Sequence, residues 1–186
     1  WEIKENNTES YLPNPYSNES FETTVRIKPP DGLKAGTKVE ATLTIIGENF
    51  ELSTSFEMIV QPITGLVWDQ NTTGNASLEA EIGKRLTIPV TILNIGNTRD
   101  EASQIRLTVM PESAPVALRI KREIVEANTW LPIEVAFSDV LDLDIEVIPN
   151  EDDIGTIYTI SLALQTSDPF NATPIEHIRE WEVVTT

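Results

Sequence analysis

Seven carboxylates and no basic side chain lie between Asp139 and Asp153: Asp139, Asp142, Asp144, Glu146, Glu151, Asp152 and Asp153. Hard oxygen donors set this densely could hold Ca2+, which takes about six to eight of them. Asp142 and Asp144 stand two residues apart, on one face of an extended strand, and Asp152 and Asp153 follow in a polar loop that begins at Asn150. These four are the expected Ca2+ ligands, and Ca2+ is the single cofactor the residues suggest. The spacing matches no EF-hand loop. A solvated acidic strand face that discourages pairing with stray strands accounts for the same residues without a metal. Asp69, Asn71 and Glu79 make a second, sparser cation candidate.

No catalytic residue is assigned. His177 is the sole histidine, there is no Gly-x-Ser-x-Gly turn for a serine nucleophile, and without cysteine neither thiol catalysis nor a disulfide is available. The eight glycines are scattered and build no phosphate loop. Of the four tryptophans, Trp1, Trp68, Trp130 and Trp181, two sit in apolar alternation: Trp68 and Trp181 read as core. Trp130 follows the loop-like Asn128-Thr129 and is the candidate for stacking on a ligand such as a sugar ring.

Five Asn-x-Ser/Thr triplets occur, at Asn6, Asn18, Asn71, Asn75 and Asn171. Each is an N-glycan acceptor by its motif, and all five lie in expected loops or in the N-terminal segment, where a bulky glycan fits.

The elements that carry these residues follow a period of two. Leu86, Ile88, Val90 and Ile92 alternate with polar residues or proline, as do Ile105, Leu107 and Val109, then Val116, Leu118 and Ile120. The pattern continues in Ile133, Val135 and Phe137, in Leu141 to Val147, and in Tyr158 to Leu164. Such alternation puts apolar side chains on one face of a strand, the mark of antiparallel sheets packed on one side. Turn residues separate the runs: DQNTTGN at Asp69–Asn75, Asn94-Ile95-Gly96-Asn97, and Pro149 to Asp153. From Ile63 onward there are eight or nine strand candidates, enough for one complete sandwich. Only Ser77–Ile82 and Lys121–Asn128 would tolerate a helix.

Composition narrows the partners. With 13 Lys+Arg against 30 Asp+Glu over 186 residues, the net charge of −17 repels nucleic acid and anionic membranes. The 40% of hydrophobic residues is enough for a core, but no run of about 18 apolar residues could span a bilayer. The opening WEIKENNTES lacks the basic end and apolar run of a signal peptide.

An internal repeat sets the domain plan. Phe21, Thr23, Val25 and Ile27 align with Leu141, Leu143, Ile145 and Val147; Gly36-Thr37 aligns with Gly155-Thr156; and Val39, Ala41, Leu43 and Ile45 align with Tyr158, Ile160, Leu162 and Leu164. Each copy is a strand, a proline-bearing loop, a glycine and a second strand. A period of about 120 residues implies tandem sandwiches. The expected fold is all-β: tandem Ig-like antiparallel sandwiches, residues 1–61 an incomplete or irregular domain and residues 62–186 a complete one, hinged at Gln61-Pro62. Three accounts of the short first domain stay open. The chain is a fragment of a longer protein, or Trp1–Asn18 supplies an irregular sheet, or a partner's strand completes the fold.

TIPVTILNIGN, Thr87 to Asn97, resembles the second strand and Asn-x-Gly turn of CARDB- and NEW3-type extracellular Ig-like repeats, and PPDGLKAGTKVEATLTI and IPNEDDIGTIYTISLAL resemble their later part. The resemblance implies a seven-stranded fold repeated in bacterial and archaeal surface or secreted proteins, without a shared catalytic site. It implies an extracellular spacer, adhesion or assembly module, not an enzyme, meeting other surface proteins or copies of itself. Two alternatives stand beside it: a carbohydrate-binding or accessory domain of a secreted hydrolase, and a filament subunit completed by a neighbour's β-strand.

Overall fold

The computed structural model of the chain describes residues 2–5, 25–28, 32–47, 49–125, 127–168 and 173–186. Among them the regular structure is strand, plus one short 3-10 turn at Glu151–Asp153. The chain divides into two units, Trp1–Gln61 and Pro62–Thr186.

In the first unit β1 (Glu2–Glu5) pairs antiparallel with β2 (Val25–Lys28), and β3 (Lys38–Gly47) pairs antiparallel with β4 (Phe50–Ile59). The β3–β4 hairpin is two-faced because its register sets like against like. Val39 lies opposite Met58 and Ala41 opposite Phe56, while on the other face Thr42 lies opposite Ser55 and Thr44 opposite Ser53. The hydroxyls of those last two pairs hydrogen-bond at 2.9 and 3.0 Å.

The second unit is a sandwich of two five-stranded sheets. Its strands are β5 (Leu66–Trp68), β6 (Ala76–Ala80), β7 (Leu86–Asn94), β8 (Gln104–Met110), β9 (Val116–Ile120), β10 (Glu123–Val125), β11 (Leu131–Pro132), β12 (Val140–Val147), β13 (Ile157–Ser167) and β14 (Pro174–Thr185). One sheet runs β10-β9-β12-β7-β5 and the other β11-β8-β13-β14-β6. All pairs are antiparallel except β6 with β14. The sets β5-β7-β12-β9 and β8-β13-β14 give the ABED and CFG sheets of an immunoglobulin-like domain, with β6, β10 and β11 added at the margins. Alternation fills the space between: Ile92, Ile105, Ile145, Ile160, Leu162 and Trp181 are among the side chains almost wholly removed from water. Each such burial is worth about 1.5–3 kcal/mol.

The repeat is structural. In both units its first strand (β2, β12) and its second (β3, β13) belong to different sheets, and the second turns back into a hairpin (β3–β4, β13–β14). Gly36 and Gly155 have φ of 80° and 73°. Gly36 N–H donates to Val60 O and Val60 N–H to Thr37 O, while Gly155 N–H donates to Thr185 O and Thr185 N–H to Thr156 O, all within 2.9–3.1 Å. Phe21 and Thr23 of the first copy lie outside the described residues.

Neither helix-tolerant stretch is helical among the described residues: most of Ser77–Ile82 is β6, drawn into the sheet by parallel pairing with β14, and Lys121 and Arg122 form a turn that leads into β10. One expectation is corrected. Ile133 to Phe137 forms no full strand, only a bridge between Val135 and Asp100. There the Asn94 side-chain amide donates to the carbonyls of Val135 and Ala136 at 2.9 and 3.1 Å, and the Val135 carbonyl also accepts Asp100 N–H at 2.9 Å.

Candidate functional site

The best-built surface feature of the second unit is the loop that carries two of the triplet asparagines. Asp69 N–H donates to Thr91 O at 2.8 Å, and its carboxylate accepts from Asn71 N–H at 2.8 Å, which makes a tight side-chain turn. Thr72 is buried, its hydroxyl accepting from Thr91 N–H at 3.0 Å. Farther on, Trp181 Nε1 donates to Thr73 O at 2.7 Å and Asn75 N–H to Glu180 O at 2.6 Å. Gly74 leaves room here for the Arg179 side chain, whose Cδ a β-carbon would displace. The loop is thus tied to both sheets, through β7 and through β14. Asn71 and Asn75 are both exposed on it. Asn6, Asn18 and Asn171 lie outside the described residues.

The structure does not gather the four proposed calcium ligands. Asp142 and Asp144 are exposed on the outer face of β12, as parity demands. Asp142 already accepts from the Thr91 hydroxyl at 2.8 Å, the residue directly opposite it. Asp152 and Asp153 lie in the 3-10 turn beyond the end of that strand, where Asp153 accepts from Asn150 N–H at 2.7 Å. Three strand residues separate Asp144 from the end of β12, about 10 Å at the usual rise. Among the described residues no group of three or more acidic or histidine side chains converges as a metal site, and this applies equally to Asp69 and Glu79.

Glu146 takes a different role from its acidic neighbours. It is buried, and its carboxylate is held between Arg85 Nη1 at 3.2 Å and Arg119 Nε at 2.6 Å.

Trp68 and Trp181 are core residues. Trp130 is half-buried and carries the Arg106 guanidinium 4.5 Å from its ring centroid, so one indole face is already engaged. His177 is a half-buried member of β14 paired with Leu164, and its Nε2 has no hydrogen-bond partner among the described residues.

Sequence reasoning missed a polar cluster that ties the sheets together at one end. Asp100 is fully buried and accepts from the N–H groups of Ala102 and Ser103 at 3.2 and 3.1 Å. Ser103 Oγ donates to Thr166 Oγ1 at 2.9 Å, which also accepts Leu66 N–H at 3.0 Å. Asn94 Nδ2 reaches the carbonyls of Thr98, Val135 and Ala136, and its Oδ1 accepts Gly96 N–H at 2.9 Å. The spacing Asp100-x-x-Ser103, a local side-chain turn, was the available signal.

Fold and surface together define the class: an all-β chain whose second unit is an immunoglobulin-like sandwich. No helix among the described residues is long and apolar enough to cross a membrane. No family model matches the chain, and no curated protein matches it. Among solved structures it is similar to CfaE, the adhesive subunit of the CFA/I fimbria of enterotoxigenic Escherichia coli, with TM-score 0.46 and 9% identity over 83% of this chain and 59% of that one. It is similar to domains 4 and 5 of the S-layer protein SbsC, with TM-score 0.37 and 11% identity over 87% and 80%. It is also similar to domains EC1-3 of mouse clustered protocadherin PcdhgC3, with TM-score 0.40 and 14% identity over 80% and 42%. The chain spans less than two thirds of the fimbrial and protocadherin chains. These likenesses are ones of architecture.

Proposed function

We propose that this chain is a pair of immunoglobulin-like modules from an extracellular prokaryotic protein, of the CARDB/NEW3 kind, and that it serves as a spacer, adhesion or assembly segment rather than as an enzyme. The observation that carries this reading is the duplicated frame: Gly36 and Gly155 make equivalent hydrogen bonds in successive units, the construction of a tandem array. Two exposed triplet asparagines, Asn71 and Asn75, on one braced loop support a surface location and glycan attachment there. The test is on source cells. Protease added to intact cells should digest the protein, and mass spectrometry should find glycan on peptides containing Asn71 or Asn75. Full protection from protease until the cells are lysed, with both asparagines unmodified, overturns it.

A second reading, assembly through the first unit, is favoured by the β3–β4 hairpin. Leu43, Phe50, Leu52 and Phe56 are 38–64% exposed there, on a face without a charged side chain. The aligned β13–β14 face of the second unit is covered by an opposing sheet, and Tyr158, Ile160 and Trp181 are buried. On this reading a neighbour's strand completes the first unit. Light scattering should then show concentration-dependent association of the 186-residue chain that Leu52→Asp abolishes; a strict monomer at all concentrations removes it.

A further inference from the structure

The sandwich of the second unit is open along one side. There β10 ends one sheet and β11 the other. Between them lies a cleft of about 560 Å3 lined by Ile120, Ile124, Val125, Leu131 and Pro132, with Glu123 the one acid among the described lining residues. Ile120, Val125 and Leu131 are half-buried against the core, whereas Ile124 is 63% exposed. The floor is therefore the aliphatic margin of the core itself, in the size range of ordinary binding clefts.

At one end of it, next to the lining acid Glu123, stand two adjacent cations in a chain of net charge −17. Lys121, which lines the cleft, and Arg122 form the turn from β9 into β10 with φ of 49° and 76°. Glycine and asparagine adopt that conformation far more readily, so the turn accepts strain while presenting two positive charges. Neither is in an ion pair among the described residues, whereas Lys84, Arg85, Arg99 and Arg119 of the same unit each meet a carboxylate. Beside the cleft, Trp130 stands between the lining residues Thr129 and Leu131 and lies under Arg106, whose buried Nε has no acceptor among the described residues.

We propose that this cleft receives an extended polypeptide segment carrying aliphatic side chains at alternate positions and carboxylates between them. The strand period supplies the match: alternate residues point into the cleft, the others toward Lys121 and Arg122. The free edge of β10 adds main-chain pairing, the usual way an extended peptide joins a sheet. An acidic glycan would use the same cations, but the nearby Trp130 ring is not among the lining residues and already carries Arg106, and the aliphatic floor offers no set of amides and carboxylates for sugar hydroxyls. The cleft lies wholly in the second unit, so the proposal stands apart from assembly through the first.

The test uses the full chain and a fluorescein-labelled nonapeptide alternating Asp with Ile and Val, read by anisotropy at 50 mM salt. Saturable binding is expected, weakened at least tenfold by K121E/R122E and several-fold by 500 mM salt. The same peptide with Ser for its aliphatic residues, or Lys for Asp, should not bind. The peptide and salt arms use the unaltered protein and do not depend on how the variant folds. Absence of saturable binding to millimolar peptide overturns the proposal, as does equal binding by the folded K121E/R122E chain. Binding of the Ser peptide, or of oligogalacturonate, as tightly as the aliphatic one overturns it in favour of a general polyanion site.

Discussion

Gly36 and Gly155 hold one backbone geometry 119 positions apart: both are left-handed, and both donate to a carbonyl at the end of the last strand of their own hairpin, Val60 just after β4 and Thr185 closing β14. A β-carbon at either position would meet nothing within 4 Å. The requirement for glycine is thus conformational, not one of space, and it arises where the chain crosses from one sheet to the other.

Gly155→Ala therefore destabilises the chain by about 1–2 kcal/mol through strain alone. Gly155→Asn costs less than Gly155→Ala, because asparagine tolerates positive φ. Urea unfolding midpoints measure both. An alanine variant as stable as the parent would show that the turn relaxes out of the left-handed region.

Gly96 makes the opposite case. Its β-carbon would strike the carbonyl oxygen of Ile63, a backbone atom with little freedom to move. The local chain is also fixed by Asn94 Oδ1, which accepts Gly96 N–H at 2.9 Å, and by Asn97 N–H donating to Ile63 O at 2.9 Å. Gly96→Ala should cost about 1–3 kcal/mol, the usual penalty of overpacking, and here asparagine gives no rescue. A melting temperature unchanged by Gly96→Ala would mean that the Ile63 segment does not sit against this turn.

Much of this was legible in the sequence, for physical reasons that can be named. Alternation in Ile88-Val90-Ile92 and Ile105-Leu107-Val109 is a direct image of a sheet with one buried face, and those residues are buried. The repeat was readable because its glycine answers a backbone demand that no other residue meets as well. Val135 misled because its alternation is real while its backbone pairs only with Asp100, in a single bridge, and its carbonyl takes a second donor from Asn94, 41 residues away, which no local pattern encodes. The turn at Lys121-Arg122 was invisible because neither residue signals positive φ. The acidic segment showed which way Asp142 and Asp144 face, but not that Thr91 already holds one and that the strand end separates both from Asp152.

Glu146 should be the one acid of that segment that matters for stability. Its side chain is 9% exposed, while Arg119 and Arg85 are 31% and 56% exposed, so solvent screens the second pair more than the first. Arg119→Ala should cost about 1–2 kcal/mol, and Arg85→Ala at most about 1 kcal/mol. Asp144→Ala, on the same outer face, should be near neutral. A double-mutant cycle of Arg119 with Glu146 isolates the pair; a coupling no larger than that of Arg85 with Glu146 would show that burial is not what strengthens it.

Tyr158 gives the pH dependence. Its ring is buried at the start of β13 and its hydroxyl makes no hydrogen bond of ordinary geometry. Burial, with the nearby Asp153 carboxylate adding to it, pushes the phenol from 10.0 up to about 12. Because the folded-state value lies above the unfolded one, the unfolded chain gives up its proton first as pH rises. The stabilising contribution is complete below pH 10 and is lost progressively as pH climbs through about 12. Tyr158→Phe removes the titrating group and leaves the ring packed. The variant should lie within about 1 kcal/mol of the parent at pH 8, since the Asp153 carboxylate beside the lost hydroxyl keeps its bond from Asn150 N–H. Above pH 10 its urea midpoint should fall less steeply than the parent's. Every other ionisable group is common to the two chains, so the difference between the two curves reports Tyr158 alone. Curves that stay parallel from pH 8 to pH 11.5 would mean the phenol ionises as freely in the folded chain as in the unfolded one, and that the margin of the core beside Asp153 is open to water.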